Sequence, residues 1–473
     1  MRRVFLLLIV ALVNVSSGAR AGGFLMYEHG ATATGMADAR TASSDDVNAI
    51  YFNPAAITEL DGLQLQLGVT GFLPYIEYTA ARNPDPERQY TRWYGLEVVQ
   101  INDGENDANA KLKGFSPFHL YVAYKIPKSG VSVGFGVNNP FGLGTYWPGD
   151  WDGRFITTES ELTTFINQPV VALDIAELAG FKEHLKLSVA VGYNLVYATA
   201  RMGQQIDLRV GEMFINTATV QGAEGSMLLT GDAIGHGWNV ALFAEIPDLL
   251  AVGASLRSGI SLPLSGTARF WFNDAGLEVL RNPALASSLI FPDQTGGRVT
   301  IDLPMNMNFG IAFLGIDRLK LALDFYIALF ESYDELDVKF DCVDQEPACS
   351  LDMPPIVNDW GTSWQVSLGA EYRVWDGLTL RCGYGTSFSP IPDETLEPSL
   401  PDSRQDNISF GAGYRGSFWK VDLGYMLALF EVVKDNDVGD WGDQDHLIPN
   451  GKANGTYKTT AHMLALSLSA WFF

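Results

Sequence analysis

Residues 462–473 read HMLALSLSAWFF. In an extended chain Leu464, Leu466, Leu468, Ala470 and Phe472 share one face, and Ala465, Ser467 and Ser469 share the other. A strand that is apolar on one face, small or polar on the other and finished by aromatics suits a wall between lipid and a wet interior. This is the pattern of the closing strand of an outer-membrane barrel. The edge strand of a soluble sandwich carries the same alternation, so the pattern has to recur along the chain to decide the fold.

It does recur. Residues 63–69 alternate Leu with Gln64, Gln66 and Gly68, and residues 131–137 alternate apolar side chains with Ser132, Gly134 and Gly136. The same period runs through 185–197, 319–329, 363–374, 407–414 and 421–429. A slip of one residue would carry the polar set into lipid, so the faces are well determined. They place Asn194, Asn239, Glu245, Arg257, Asn306, Asn308, Asp324, Glu371, Arg373, Arg381 and Asp422 on the inside. Short joints occur at 127–130, 247–250, 315–318, 375–377 and 415–418. Long polar stretches lie at 75–114, 140–165, 202–236, 271–300, 341–361, 389–405 and 434–460. Short turns at one end and seven long loops at the other predict an all-β antiparallel transmembrane barrel of about fourteen strands over 61–473.

Composition narrows the class. The chain has 48 glycines, 12% aromatic residues and a mean hydropathy of +0.06, the average expected when lipid-facing residues alternate with small or polar ones. Residues 1–21 combine Arg2 and Arg3, an apolar run and Ala19-Arg20-Ala21, a secretory leader cleaved before Gly22. Removing Arg2, Arg3 and Arg20 leaves 28 basic against 55 acidic residues, a formal charge of −27, which argues against nucleic acid as a partner. No later segment supplies the roughly 18 apolar residues of a membrane helix.

Residues 22–60 lack the alternation and precede the first strand. A barrel of this size leaks unless filled, so the segment is expected to fold into the lumen as a plug, the alternative being a free periplasmic tail. The apolar Ile50, Tyr51 and Phe52 and the turn at Asn53, Pro54 and Ala55 favour the plug.

EHGATATGMADA and SSDDVNAIYFNPAAITELDG, with Glu28, Gly35, Asp46 and Asn53-Pro54-Ala55, resemble the hatch of the FadL/TodX family of outer-membrane transporters for long-chain fatty acids and other hydrophobic compounds. The likeness continues through NNPFGLGTYW and GRF within 138–155, GWNVALF (237–243), LRSGI (256–260), DLPMNMNFGIAF (302–313) and LALDFYIALFESYDEL (321–336). It is densest over 367–415, from SLGAEYRVWDGLTLRCGYG to NISFGAGYR. The resemblance implies passive uptake without a cofactor by a monomer surrounded by outer-membrane lipid and lipopolysaccharide. It also implies a lateral opening at a kink in the third strand, beside the hatch Asn-Pro-Ala.

In this sequence that kink falls at Asn139, Pro140, Phe141 and Gly142. Proline removes a ladder donor and glycine permits a bend, although an ordinary strand end reads the same way. Arg257 and Arg381 are candidates to meet a carboxylate head group, or else lumenal cations paired with acids. Tyr146, Trp147, Trp151 and Phe155 form either an apolar landing site or an interfacial girdle. The family's basic ligand contacts do not map cleanly onto Arg201 or Lys339, which leaves a neutral or aromatic hydrocarbon open as cargo. Cys342 and Cys349, with six residues between them in an acidic loop, suggest a disulfide rather than a metal site. A lipase- or protease-type enzyme is the rival from another class, but nothing positions His462 with a serine and an acid. The reading is therefore a channel and not an enzyme.

Overall fold

A computed structural model describes residues 23–26, 29–43, 45–81, 91–93, 98–100, 106–208, 222–283, 289–344, 348–351, 355–434 and 453–472. The expected leader and Glu28 lie outside the described residues.

Fourteen antiparallel strands make one closed wall. They are β1 (Leu63–Ala80), β2 (Phe118–Ile126), β3 in two pieces (Val131–Asn138 and Gly142–Tyr146), β4 (Glu159–Asp174), β5 (Lys186–Asp207) and β6 (Glu224–Ile246). β7 (Leu250–Arg257 and Ile260–Phe272) and β8 (Gln294–Leu303 and Met305–Ile316) are also interrupted. β9 (Leu319–Leu329), β10 (Thr362–Trp375), β11 (Leu378–Phe388), β12 (Gln405–Arg415), β13 (Trp419–Lys434) and β14 (Gly455–Phe472) complete the circle. β1 pairs with β14 from Leu63↔Phe472 to Ala80↔Gly455, so the sheet has no free edge there to satisfy in lipid.

The faces follow the period-two reading. Leu464, Leu466, Leu468 and Phe472 are exposed outside, and Ala465 and Ser467 are buried inside. Of the inward polar set, Asn194, Asn239, Glu245, Arg257, Asn306, Asn308, Asp324, Arg381 and Asp422 are buried. Glu371 is half-buried, and Arg373 is exposed beside the β10–β11 turn.

The strands run further outward than their alternation showed. β1, β5, β6, β7 and β14 extend into the stretches read as loops, for example β5 to Asp207 and β6 from Glu224. Beyond the lipid band both faces of a strand meet water, so polarity no longer marks the face. Arg201 paired to Glu159 on the outer surface is such a place.

The hatch fills the lumen. Two short helices, α1 (Ala31–Thr34) and α2 (Ala49–Phe52), lead into a 3-10 turn at Pro54–Glu59. Hatch backbone is held by wall side chains: Ser467 Oγ accepts from Ala31 N at 2.9 Å. Asp324 Oδ2 accepts from Arg40 N and Thr41 N at 2.8 and 2.6 Å. Gln168 Nε2 donates to Ile50 O at 2.8 Å. Contact is close enough that a Cβ on Gly35 would lie 2.9 Å from Gly411 Cα on β12.

Candidate lateral gate and lumenal pocket

Asn53 is where the hatch meets the wall. Its Oδ1 accepts from Ala55 N at 3.2 Å, capping a turn that begins with Pro54. Its Nδ2 donates to Thr41 O at 2.9 Å and to Leu242 O of β6 at 3.0 Å.

The nearby kink in β3 is built and hydrogen-bonded. β2 pairs with β3 only up to Leu120↔Val137. Beyond it Phe118 N donates to Asn139 Oδ1 at 3.1 Å, and Asn139 Nδ2 donates to Thr164 O at 2.6 Å. Thr164 Oγ1 donates to Phe141 O at 2.7 Å and accepts from Phe141 N at 3.2 Å. Side chains thus satisfy backbone that the ladder has released, which is costly to leave unpaired in a membrane. On the inner side residues 24–26 replace β2. Met26 N donates to Pro140 O at 2.8 Å, and Gly142 N donates to Phe24 O at 2.9 Å.

Side chains close the remaining hole. A Cβ on Gly142 would lie 2.5 Å from Met26 Sδ, and one on Gly144 would lie 1.6 Å from Phe115 Cζ. On the lipid side the Phe118 and Phe165 rings meet at 5.9 Å across the kink. The β2–β3 ladder resumes only where Lys111 N donates to Tyr146 O.

Behind this hole lies a buried apolar cluster. Phe24 packs against Phe141, Phe330, Tyr333 and Trp360 with centroids 5.2–6.2 Å apart. Ile166, Val196, Ile260 and Leu262 continue the cluster. Its floor is polar. Arg257 is buried, stacks at 4.5 Å over the Tyr51 ring, and donates to Tyr51 O and Gln168 Oε1 at 3.3 and 3.4 Å. Among the described residues no carboxylate pairs with it. A narrow crevice lined by Leu25, Tyr51, Asn306, Asn308 and Tyr326 adjoins it. His29 donates to Met26 O at 2.9 Å, and burial lowers its pKa to about 3, so it stays neutral.

A family model described as outer membrane protein transport protein (OMPP1/FadL/TodX) matches residues 12–472. The chain belongs to this family. A long-chain fatty acid transport protein of Escherichia coli is 23% identical over 449 residues, covering 90% of this chain and 91% of that one. A solved FadL homologue of Pseudomonas aeruginosa superposes with a TM-score of 0.75 at 19% identity, covering 96% and 100% of the two chains. The toluene transporter TodX of Pseudomonas putida gives 0.66 at 16% identity, covering 94% and 99%. As a member of the family this chain is an outer-membrane transporter of hydrophobic compounds.

Not every expected residue joins this family's apolar path. Arg381 is spoken for: its Nε donates to Glu371 at 2.7 Å and its Nη1 to Asp422 at 2.9 Å. Lys320 bridges Glu371 to hatch Asp45 at 3.5 and 2.9 Å, and Lys420 bridges Asp422 to hatch Asp46 at 3.0 and 3.7 Å. Arg381 therefore belongs to a hatch-fastening network, a correction to its candidacy as a carboxylate site. Trp147 and Trp151 also depart from an open landing site. They stack at 4.3 Å, buried, because their indole N–H groups donate inward to Pro398 O and Thr157 O. Phe155 is buried under Arg154, whose guanidinium pairs with Glu224. Tyr146 keeps an accessible edge but is bound to Glu161 and Lys113. Cys342 and Cys349 are joined by a disulfide, and Cys382 is free and exposed on the outer face. His462 faces Tyr425 and Tyr75.

Phe24, Met26, Phe115, Thr164, Phe330, Tyr333 and Trp360 escaped the sequence reading. They lie in segments without alternation or at strand positions of ordinary parity. A run of aromatics outside any strand was the one available signal.

Proposed function

We propose that the protein takes up long-chain fatty acids as a monomer in outer-membrane lipid and lipopolysaccharide, releasing them sideways through β3. The observation that carries the reading is the hole in the β2–β3 ladder. It lies between a buried apolar cluster in the lumen and the lipid face and is shut by the side chains of Phe115, Met26 and Phe118. Opening it needs side-chain rotation and displacement of residues 24–26, with few backbone hydrogen bonds broken. Partition drives the exit, since each methylene leaving water gains about 0.8 kcal/mol. Asn53, Pro54 and Ala55 fix the hatch edge next to the path, and Asn139, Pro140, Phe141 and Gly142 form the movable wall.

Arg257 supports an acid as cargo, because a buried guanidinium without a carboxylate partner among the described residues is a receptor for one. The aromatic lining around Phe24 favours a second reading, neutral or aromatic hydrocarbons, as the name of the toluene transporter suggests. Replacing Gly142 with Trp tests the route. Uptake of a labelled fatty acid is expected to slow while barrel assembly, read by heat-dependent gel migration, is unchanged. Normal uptake in an assembled Gly142→Trp barrel contradicts a lateral exit at β3.

A further inference from the structure

A second seam of the barrel is broken in its interior. β6 and β7 pair above, from Gly225↔Phe272 to Asp232↔Ser265, and below, from Asn239↔Arg257 to Ile246↔Leu250. Between these stretches residues 233–238 face residues 258–264 without paired register. The contacts there are Ser258 N donating to Trp238 O and Trp238 N donating to Ser258 Oγ, both 3.0 Å. This is not fraying. β6 stays registered with β5 through Gly235↔Val196, and β7 with β8 through Pro263↔Thr300. Pro263 also removes one ladder donor inside the break.

Side chains seal what hydrogen bonds do not. A Cβ on Gly235 would lie 2.6 Å from Ile260 Cγ2 and 2.7 Å from Leu262 Cδ2, and one on Gly237 would lie 2.7 Å from Ile260 Cγ1. Ile260 and Leu262 therefore lie directly on the β6 backbone, as Phe115 lies on Gly144. Both also belong to the buried apolar cluster. The two breaks even share a residue row, Asn138↔Ile166, Ile166↔Val196 and Val196↔Gly235. On the outer side Ile234 and Trp238 are 58% and 47% exposed, flanked by exposed Tyr193 and Tyr197 and below Asp232, so the break opens towards the outer part of the lipid band. Towards the extracellular end a small apolar crevice is lined by Leu229, Leu264 and Val299.

From these observations we infer that the β6–β7 seam is a second lateral passage, through which a slim alkyl chain moves between the lumen and the outer half of the bilayer when Ile260 and Leu262 swing off Gly235 and Gly237. The inference rests on the proposed hydrophobic cargo but not on β3 being the exit. Along a fully registered seam the wall opens only by breaking ladder bonds in lipid, each costing several kcal/mol; here the barrier is the rotation of two aliphatic side chains and the two hydrogen bonds between Ser258 and Trp238.

Reversible thiol staples separate the two passages. In a Cys382→Ser background, Gly237→Cys with Ser258→Cys is joined across β6–β7, and Phe115→Cys with Gly144→Cys across β2–β3, by a bis-reactive cross-linker that reductant removes. Uptake of a labelled fatty acid is expected to fall with the β6–β7 staple, to persist in part with the β2–β3 staple, and to be lost with both. Recovery on reduction shows that each barrel is folded. A β6–β7 staple without effect, with uptake abolished by the β2–β3 staple alone, overturns the second passage and leaves β3 as the exit. Loss of uptake with the β6–β7 staple alone, and none with the other, upholds the second passage and sinks the β3 route. Uptake unchanged by both staples together overturns both.

Discussion

The ring of Phe115 rests on the backbone of Gly144, so close that a Cβ at that glycine would lie 1.6 Å from Phe115 Cζ. The aromatic ring stands where the β2–β3 ladder is missing. Removing it as Phe115→Ala should speed uptake of hydrophobic compounds, and enlarging it as Phe115→Trp should slow it. Initial rates in cells with equal barrel abundance check both signs. Equal rates for the two variants would mean that the ring only fills space.

Arg257 and Arg381 are both buried lumenal arginines, but they should respond oppositely to loss of charge. Arg257→Gln removes a charge-assisted hydrogen bond to an acid, about 1.5–3 kcal/mol. Fatty-acid affinity is expected to drop by roughly one to two powers of ten, with affinity for a neutral hydrocarbon unchanged. Arg381→Ala leaves Glu371 and Asp422 without their shared cation, a loss of about 3–5 kcal/mol in stability. It should lower the unfolding midpoint without altering ligand preference. Isothermal binding and denaturant melts on the same preparations separate the two.

The hatch should loosen when Asn53 is lost. Asn53→Ala orphans Thr41 O and Leu242 O, both now served by Nδ2, at a cost of about 1–3 kcal/mol. Faster hydrogen exchange over 49–60, with wall exchange unchanged, is the expected reading. Exchange that accelerates equally throughout would indicate global destabilisation instead.

These faces and strands were largely legible, and the reason is the membrane. Leu464, Leu466 and Leu468 must meet lipid while Ser467 meets hatch Ala31, so period two is enforced over every span. Above the band that constraint lapses, and β5 and β6 run on through sequence that looked like loop. The inner faces were legible but their partners were not. Arg257 and Arg381 occupy equivalent parities, and only the fold brings Glu371 and Asp422 to one of them. The glycines and prolines of β3 and of the β6–β7 seam read alike, yet sequence cannot say which neighbour a strand has stopped pairing with.

The segment from Gly23 carries a pH dependence. Asp402 accepts from Gly23 N at 2.8 Å and Ser389 Oγ at 2.7 Å, and burial pushes its pKa up to about 7. A raised folded-state pKa stabilises the protonated form, so its contribution is fully present below about pH 4 and is lost as pH climbs through about 7. Protection of the Gly23 and Met26 amides should therefore weaken as pH rises from 5 to 8. Asp402→Asn should flatten that dependence. An unchanged slope in the variant would assign it to another group.

The central claim is that the wall at β3 opens for cargo, and the distance across it tests that most directly. Spin labels at Phe118→Cys and Phe165→Cys, in a Cys382→Ser background, replace the two rings that meet over the kink at 5.9 Å. With fatty acid added to labelled protein in vesicles, the account predicts a second, longer population in the label–label distances, growing with ligand concentration. A single unchanged distance while the same preparation transports fatty acid would contradict it.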